Sequence, residues 1–261
     1  MVGGIIVVAV WILAAIFAPQ LAPYGTLTQN ISQRLQAPGA LHPWGSDELG
    51  RDIYTRVLYG GLITIPAGTV VIVIGSIIGT LIGALAGYLG GFWDELIMRI
   101  TELFMAFPTI ILAMAITAAL GPAIRNAIIA LVVVWWPSYA RLVRSLVLQV
   151  KNKEFVESAQ CLGASRPYIL FRTILPNCLA PTVVLTTLDI GNAILTFAGL
   201  SFLGLGPEPT SPEWGRMVAV GIDYFDQWWT WLFPGLAIAT LVVAFNFIGD
   251  GLRDIFDPRL R

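Results

Sequence analysis

Residues 75–87 read GSIIGTLIGALAG, with glycines at positions 75, 79, 83 and 87. In a helix, a four-residue step keeps Gly75, Gly79, Gly83 and Gly87 on one slowly turning face. That face carries no side chains, so a second helix can approach it backbone to backbone. Lipid supplies no hydrophobic force to drive helices together, and close packing over small residues takes that role. The ladder therefore predicts a helical bundle rather than a set of separate anchors.

The ladder sits in a chain of 261 residues that is 57% hydrophobic and only 12% charged, with a mean hydropathy of +0.79. A soluble domain carries about a quarter charged residues. Long apolar runs recur, each approaching the roughly 20 residues that cross a bilayer as a helix. The fold class is an all-α membrane protein. Six spans are predicted, near 2–18, 62–89, 96–120, 123–148, 180–203 and 232–249. Gly121-Pro122 breaks the third from the fourth. The opening MVGGIIVVAVWILAAIFAP lacks the basic start and clear cleavage site of a signal peptide, so it reads as a retained first span.

Six spans put both termini on one side. That side, with the polar insert 149–179, holds ten lysines and arginines, among them Lys151, Lys153, Arg172, Arg259 and Arg261. The opposite side holds five: Arg34, Arg51, Arg56, Arg125 and Arg216. The positive-inside rule makes the insert and both termini cytoplasmic.

Two segments on the outer side have character. In WGSDELGRDIYTRVLYG, Ser46 reads as an N-cap, and Leu49, Ile53 and Val57 suggest a short amphipathic helix on the membrane surface. The stretch GPEPTSPEWGRMVAVGIDYFDQWWTW sets Glu208, Glu213, Asp223 and Asp226 against one arginine. It reads as a solvated acidic loop or a contact for an external partner. Trp228, Trp229 and Trp231 then fit an interfacial belt. The chain divides into 1–60, a first span plus this external amphipathic segment, and 61–258, a core of five spans with the cytoplasmic loop.

No enzymatic constellation is legible. A P-loop needs a lysine directly after glycine, and Lys151 and Lys153 follow valine and asparagine. His42 is the sole histidine, and Cys161 and Cys178 lack metal-ligand spacing. No catalytic residue, metal site or nucleic-acid patch is expected. Ionisable groups at membrane depth remain. Asp189 lies near the middle of the fifth span, where an aspartate costs about 2.5–3.5 kcal/mol on insertion scales. It reads either as a pathway residue or as a packing contact through Asn192. Glu102 follows Arg99 by three residues, which suits an ion pair along one helix face.

The insert KNKEFVESAQCLG reads as a short helix with Phe155, Ala159 and Leu162 on one apolar stripe. Gly163 supplies a left-handed stop, Ser165 caps a second helix, Pro167 fits its first turn and Pro176 ends it. The small residues Ser158, Ala159 and Ala164 around the bend leave room for another surface, so the shape suits a groove on a partner.

Here a resemblance becomes specific. ESAQCLGAS followed by ILPN resembles the EAA loop of ABC-importer permeases. HPWGSDELGRDIYTRVLYG, GYLGGFWDELIMRITELFMAFP, WWPSYARLVRS, LSFLGLG with PEWGRM, and NFIGDGLRDIFDPRLR are similar to the C-type subunit of dipeptide, oligopeptide, glutathione and nickel permeases. Ser158, Glu102, Leu62, Thr173 and Phe197 depart from that family's usual residues.

The resemblance implies a type I importer permease fold in a prokaryotic inner membrane, and one half of a translocation pathway. A homologous B-type permease subunit, two ABC ATPase subunits and an extracytoplasmic substrate-binding protein would be its partners, within membrane lipid. ATP and magnesium would be bound by the ATPases, with no cofactor in this chain. Coupling would run through Glu157, Ser158, Ala159, Leu162, Gly163, Ala164, Ser165 and Pro176, with Asp189 and Asn192 as pathway candidates. Peptides are the first substrate class and nickel an alternative. A proton-coupled secondary transporter using Asp189 or Glu102, and a non-transporting scaffold, are the rivals from other classes.

Overall fold

The glycine ladder is the contact line between the two helices that organise the bundle. In the computed structural model, which describes residues 1–256, a Cβ added at Gly79 would meet Trp136, Tyr139 and Ala140, and at Gly83 the backbone of Ala140. At Gly87 it would meet the Arg144 carbonyl and Val147, both at 3.0 Å. Position numbers rise together on both sides of this seam, so the two helices run parallel.

The described chain is helical. After α1 (Val2–Ile16), α2 (Ala18–Leu21) and a 3-10 turn (Ile31–Gln33) come α3 (Ile53–Leu89), α4 (Gly91–Met105), α5 (Thr109–Leu120) and α6 (Ile124–Val150). The insert forms α7 (Glu154–Cys161), then α8 (Arg166–Tyr168) and a π-helical stretch (Ile169–Ile174) lead into α9 (Leu175–Phe202). The chain continues through α10 (Trp214–Ile222) and α11 (Trp229–Phe256). Arg259, Arg261 and the end of the expected 61–258 unit lie outside the described residues.

Four helices are long and apolar enough to cross a membrane: Ile53–Leu89, Ile124–Val150, Arg166–Phe202 and Trp229–Phe256. The expected span over 96–120 is instead the pair α4–α5, bent by 87°. Pro108 is the cause. It lacks an N–H and biases Phe107 away from helix, so α4 stops and α5 restarts from a Pro108 N-cap. Counted together the pair makes a fifth span, and α1 is a shorter apolar helix. Gly121, at φ +89°, provides the expected break before α6. Pro176 does not end a helix. Leu175 N–H bonds the Leu170 carbonyl across a wide π turn, and such a turn opens the ring clash that proline brings to a regular helix.

Further close approaches tie the outer helices to this pair. Gly68 of α3 faces Ile194 of α9, Gly191 faces Val242 and Phe245 of α11, and Gly4 of α1 faces Ala244 and Ile248. Gly251 lies against Met1, while Leu142, Pro181, Arg253 and Phe256 line one hollow. Met1 and Phe256 therefore lie at the end of the bundle that carries the insert.

The opposite end differs from expectation. No surface helix forms from Ser46. Its hydroxyl donates to the Gln33 carbonyl and accepts from Gln36 N–H, and the segment folds as a hairpin-like loop bridging Ser46 and Asp52. Asp52 is the true cap, accepting from Thr55 N–H at 2.7 Å while holding His42 Nδ1 at 2.9 Å. From there α3 runs unbroken to Leu89, so the expected boundary at residue 60 falls inside a helix, and Ile53 and Val57 are core residues. Glu213 is likewise buried rather than solvated, capping α10 by accepting from Gly215 and Arg216 N–H. Burial pushes its carboxyl above the ordinary range, and those two N–H groups pull the other way. Trp229 is buried, with Nε1 donating to the Ser46 carbonyl at 3.2 Å, while Trp228 stays exposed.

Two glycines separate packing from mere helix membership. Gly83→Ala drives a methyl into the Ala140 backbone and is expected to cost about 1–3 kcal/mol. Gly235→Ala meets nothing within 4 Å in α11 and is expected to be neutral or stabilising by up to about 1 kcal/mol. Thermal unfolding of the detergent-purified protein reads both; equal midpoints would remove the seam from its organising role.

Candidate functional site

The insert starts where α6 ends. Lys151 Nζ donates to the Gly87 carbonyl at 3.0 Å, fastening the end of α6 to the last turn of α3. Lys153 is the N-cap of α7, and its carbonyl accepts from Val156 and Glu157 N–H. Glu154 and Glu157 fall in the first turn, where negative charge offsets the helix dipole. At the other end the Gly163 N–H bonds the Gln160 carbonyl at 2.9 Å and the Ala164 N–H bonds the Ala159 carbonyl at 3.1 Å. With Gly163 at φ +81°, this is a Schellman stop. A Cβ at Gly163 would meet open space, so glycine is demanded there by backbone conformation and not by crowding. Ser165 stands as the N-cap of α8 without a side-chain bond, and Pro167 fits its first turn as expected.

The buried face of α7 is not the expected one. Val156 alone of its side chains is buried, set among Ala84, Val143, Val147, Ile169, Leu170, Ile174 and Cys178. These come from the ends of α3 and α6 and from the stretch leading into α9. Of the expected stripe, Leu162 and Phe155 face away, 87% and 46% exposed, while Ala159 is half-buried. Spacing alone identified an apolar stripe, but α7 packs on the bundle through a residue outside it. Glu157, Ser158, Gly163 and Ser165 are exposed and Ala159 and Ala164 half-buried, so these residues share one protruding corner with Leu162. Pro176 lies apart, roughly 16 Å further along the helical path at 1.5 Å per residue.

The root of this corner is pinned by charge. Arg144 on α6 donates from Nε and Nη2 to the two carboxylate oxygens of Asp94 on α4, at 2.7 and 2.6 Å. Bidentate geometry of this kind is among the stronger polar contacts. Arg99 and Glu102 form the expected pair at 3.4 Å, both exposed.

Asp189 sits half-buried on α9. Tyr139 of α6 donates to its Oδ2 at 3.0 Å, and Asn192 Nδ2 approaches its Oδ1 at 3.5 Å. Asp189 and Asn192 thus meet as their spacing suggests. Tyr139, fifty residues away in sequence, was missed because no local pattern marks it. At the opposite end, Arg56 donates to the carbonyls of Thr26, Thr210 and Ser211, a knot that no spacing announced. Among the described residues no group of three or more His, Cys, Asp or Glu side chains is placed to hold a metal ion. Cys161 is exposed and Cys178 buried, and neither is paired.

Comparison with known proteins agrees with this geometry. The profile of the binding-protein-dependent transport system inner membrane component matches residues 79–261, and the N-terminal TM domain of oligopeptide transport permease C matches residues 1–38. A dipeptide transport system permease protein from Alkalihalophilus pseudofirmus is 45% identical over 259 residues, 99% of this chain and 85% of that protein. A glutathione transport system permease protein from Salmonella typhimurium is 48% identical over 252 residues, 96% of this chain and 83% of that protein. A chain of the inward-facing MetNI methionine ABC transporter superposes with a TM-score of 0.62 at 20% identity, over 77% of this chain and 97% of that one.

Val156→Ala removes the one side chain that roots α7, and about 1–3 kcal/mol of local packing is expected to go with it. Faster amide exchange over 154–165, with unchanged exchange in α3 and α6, is the expected readout. Unaltered exchange across the insert would show that α7 is held by something other than Val156.

Proposed function

Because the chain belongs to the family of binding-protein-dependent transport system inner membrane components, we propose how this permease subunit of an ATP-driven importer is arranged and driven. It is a C-type member, and its relatives are named as dipeptide, peptide and glutathione permeases. Its cargo is taken here to be a di- or oligopeptide. In the proposed arrangement α1 and the bent α4–α5 pair complete six spans in a prokaryotic inner membrane, with both termini and the insert cytoplasmic. A homologous B-type subunit supplies the other half of the pathway. Two ABC ATPases bind ATP and magnesium, and an extracytoplasmic binding protein delivers substrate.

The observation that carries the coupling role is the protruding corner at Gly163. Its apolar side chains Phe155 and Leu162 are uncovered, while Val156 roots it among three bundle helices. A partner groove that takes this corner can bias the whole bundle between inward-facing and outward-facing states through differential contact energy. Glu157, Ser158, Ala159, Leu162, Gly163, Ala164 and Ser165 form that contact, and Pro176, exposed further along the chain, is assigned to coupling with them. Asp189 and Asn192 are assigned to the pathway. A proton relay through Glu102 finds less support, since Glu102 is exposed and paired with Arg99.

Gly163→Pro tests the coupling role, because proline fixes φ near −65° where the bend holds +81°. In the reconstituted complex it is expected to abolish both peptide uptake and binding-protein-stimulated ATP hydrolysis while the permease remains in the membrane. Gly163→Ala, which costs about 1–2 kcal/mol for the left-handed conformation but meets no atoms, is expected to retain most uptake. Normal uptake and ATP hydrolysis in Gly163→Pro would sink the assignment.

A further inference from the structure

Asp189 is the fifteenth of the 28 residues of α9, at the middle of a helix that crosses the membrane. Among the described residues it forms no ion pair. Its partners are neutral donors, Tyr139 at 3.0 Å and Asn192 at 3.5 Å, with the Trp135 side chain also beside the carboxylate. An uncompensated carboxylate at this depth is costly and is retained where a cation or a wet cavity meets it.

The two oxygens have different surroundings. Oδ2 is held from behind by Tyr139, which is itself fully buried in the core between α3, α5, α6 and α9. Oδ1 points to Asn192, which is exposed, and one turn further Thr196 is half-buried on the same side. The carboxylate is thus fixed in orientation by one oxygen and presents the other along a partly polar, uncovered face of α9. Exposed polar groups at membrane depth do not face hydrocarbon, so this face meets the pathway or the companion subunit.

The geometry points to Asp189 as the contact for the α-ammonium group of the peptide in transit, with Tyr139 as the residue that positions it. This inference rests on the peptide-importer reading above. An ammonium group carries three donors and matches a carboxylate oxygen left free on one side. A single charge-assisted contact without a full cage also suits transport, which needs binding weak enough to release.

The test uses the complete complex in proteoliposomes, with its binding protein outside and labelled alanyl-alanine as the probe. Asp189→Asn keeps an acceptor for Tyr139 but removes the charge, and is expected to lower uptake about tenfold in a complex that still assembles. Asp189→Glu is expected to restore most uptake, and Tyr139→Phe to reduce it only about two- to threefold. Unchanged uptake in Asp189→Asn overturns the inference. Equal losses in Tyr139→Phe and Asp189→Asn make the contact structural and also overturn it. A complex that fails to assemble in Asp189→Asn but assembles in Asp189→Glu assigns the counter-charge to the companion subunit instead of the cargo. No uptake by the wild-type complex would instead remove the peptide reading itself, and this inference with it.

Discussion

The bundle is organised by the close approach of α3 and α6 along Gly79, Gly83 and Gly87, with Gly75 continuing the seam at ordinary contact distance. Within a membrane, association energy comes from packing contacts, since exposed and buried apolar side chains see similar surroundings. A helix without side chains on one face gains many such contacts at once. Because α3 and α6 run parallel, the chain between them must return across the bundle. The bent pair α4–α5 makes that return, and the Asp94–Arg144 contact fastens its first half to α6. One seam thereby fixes the positions of four helices.

The seam also decides what the insert can do. Its last glycine, Gly87, brings the end of α3 against Arg144 and Val147, and its carbonyl receives Lys151. The ends of α3 and α6 and the start of α9 converge there as a packed floor, on which Val156 sets α7. In the proposed coupling role, a force on the corner at Gly163 would reach three helices through close-packed side chains, which shift between discrete arrangements more readily than they deform. The corner carries uncovered apolar residues, yet its root is a buried apolar cluster.

The opposite end is built on other terms. Buried Arg56 ties loops that are distant in sequence through Thr26, Thr210 and Ser211, while Arg51 to Asp47 and Glu48, and His42 between Asp52 and Gln33, brace the 33–52 loop within itself. Burial pushes the Glu48 carboxyl up, with the neighbouring Asp47 adding to the effect, so its contact with Arg51 compensates a real cost. Such a network holds its loops in register and lets α3 begin cleanly at Ile53.

What the sequence determined by itself is what travels along a single helix or turn. The glycine step at 75–87, the left-handed stop at Gly163, the break at Gly121, and the pairs Arg99–Glu102 and Asp189–Asn192 all arise between residues a few positions apart. Backbone geometry fixes those neighbours whatever surrounds them. The family motifs were legible for the same reason, as local strings. Only the tertiary structure decided that Val156 and not the Phe155 stripe is buried, and that Asp52 rather than Ser46 caps α3. It likewise decided that Glu213 is enclosed and that Tyr139 holds Asp189. Each of these choices compares two locally acceptable options, and the winner is the one that fills a space or satisfies a polar group contributed by another part of the chain.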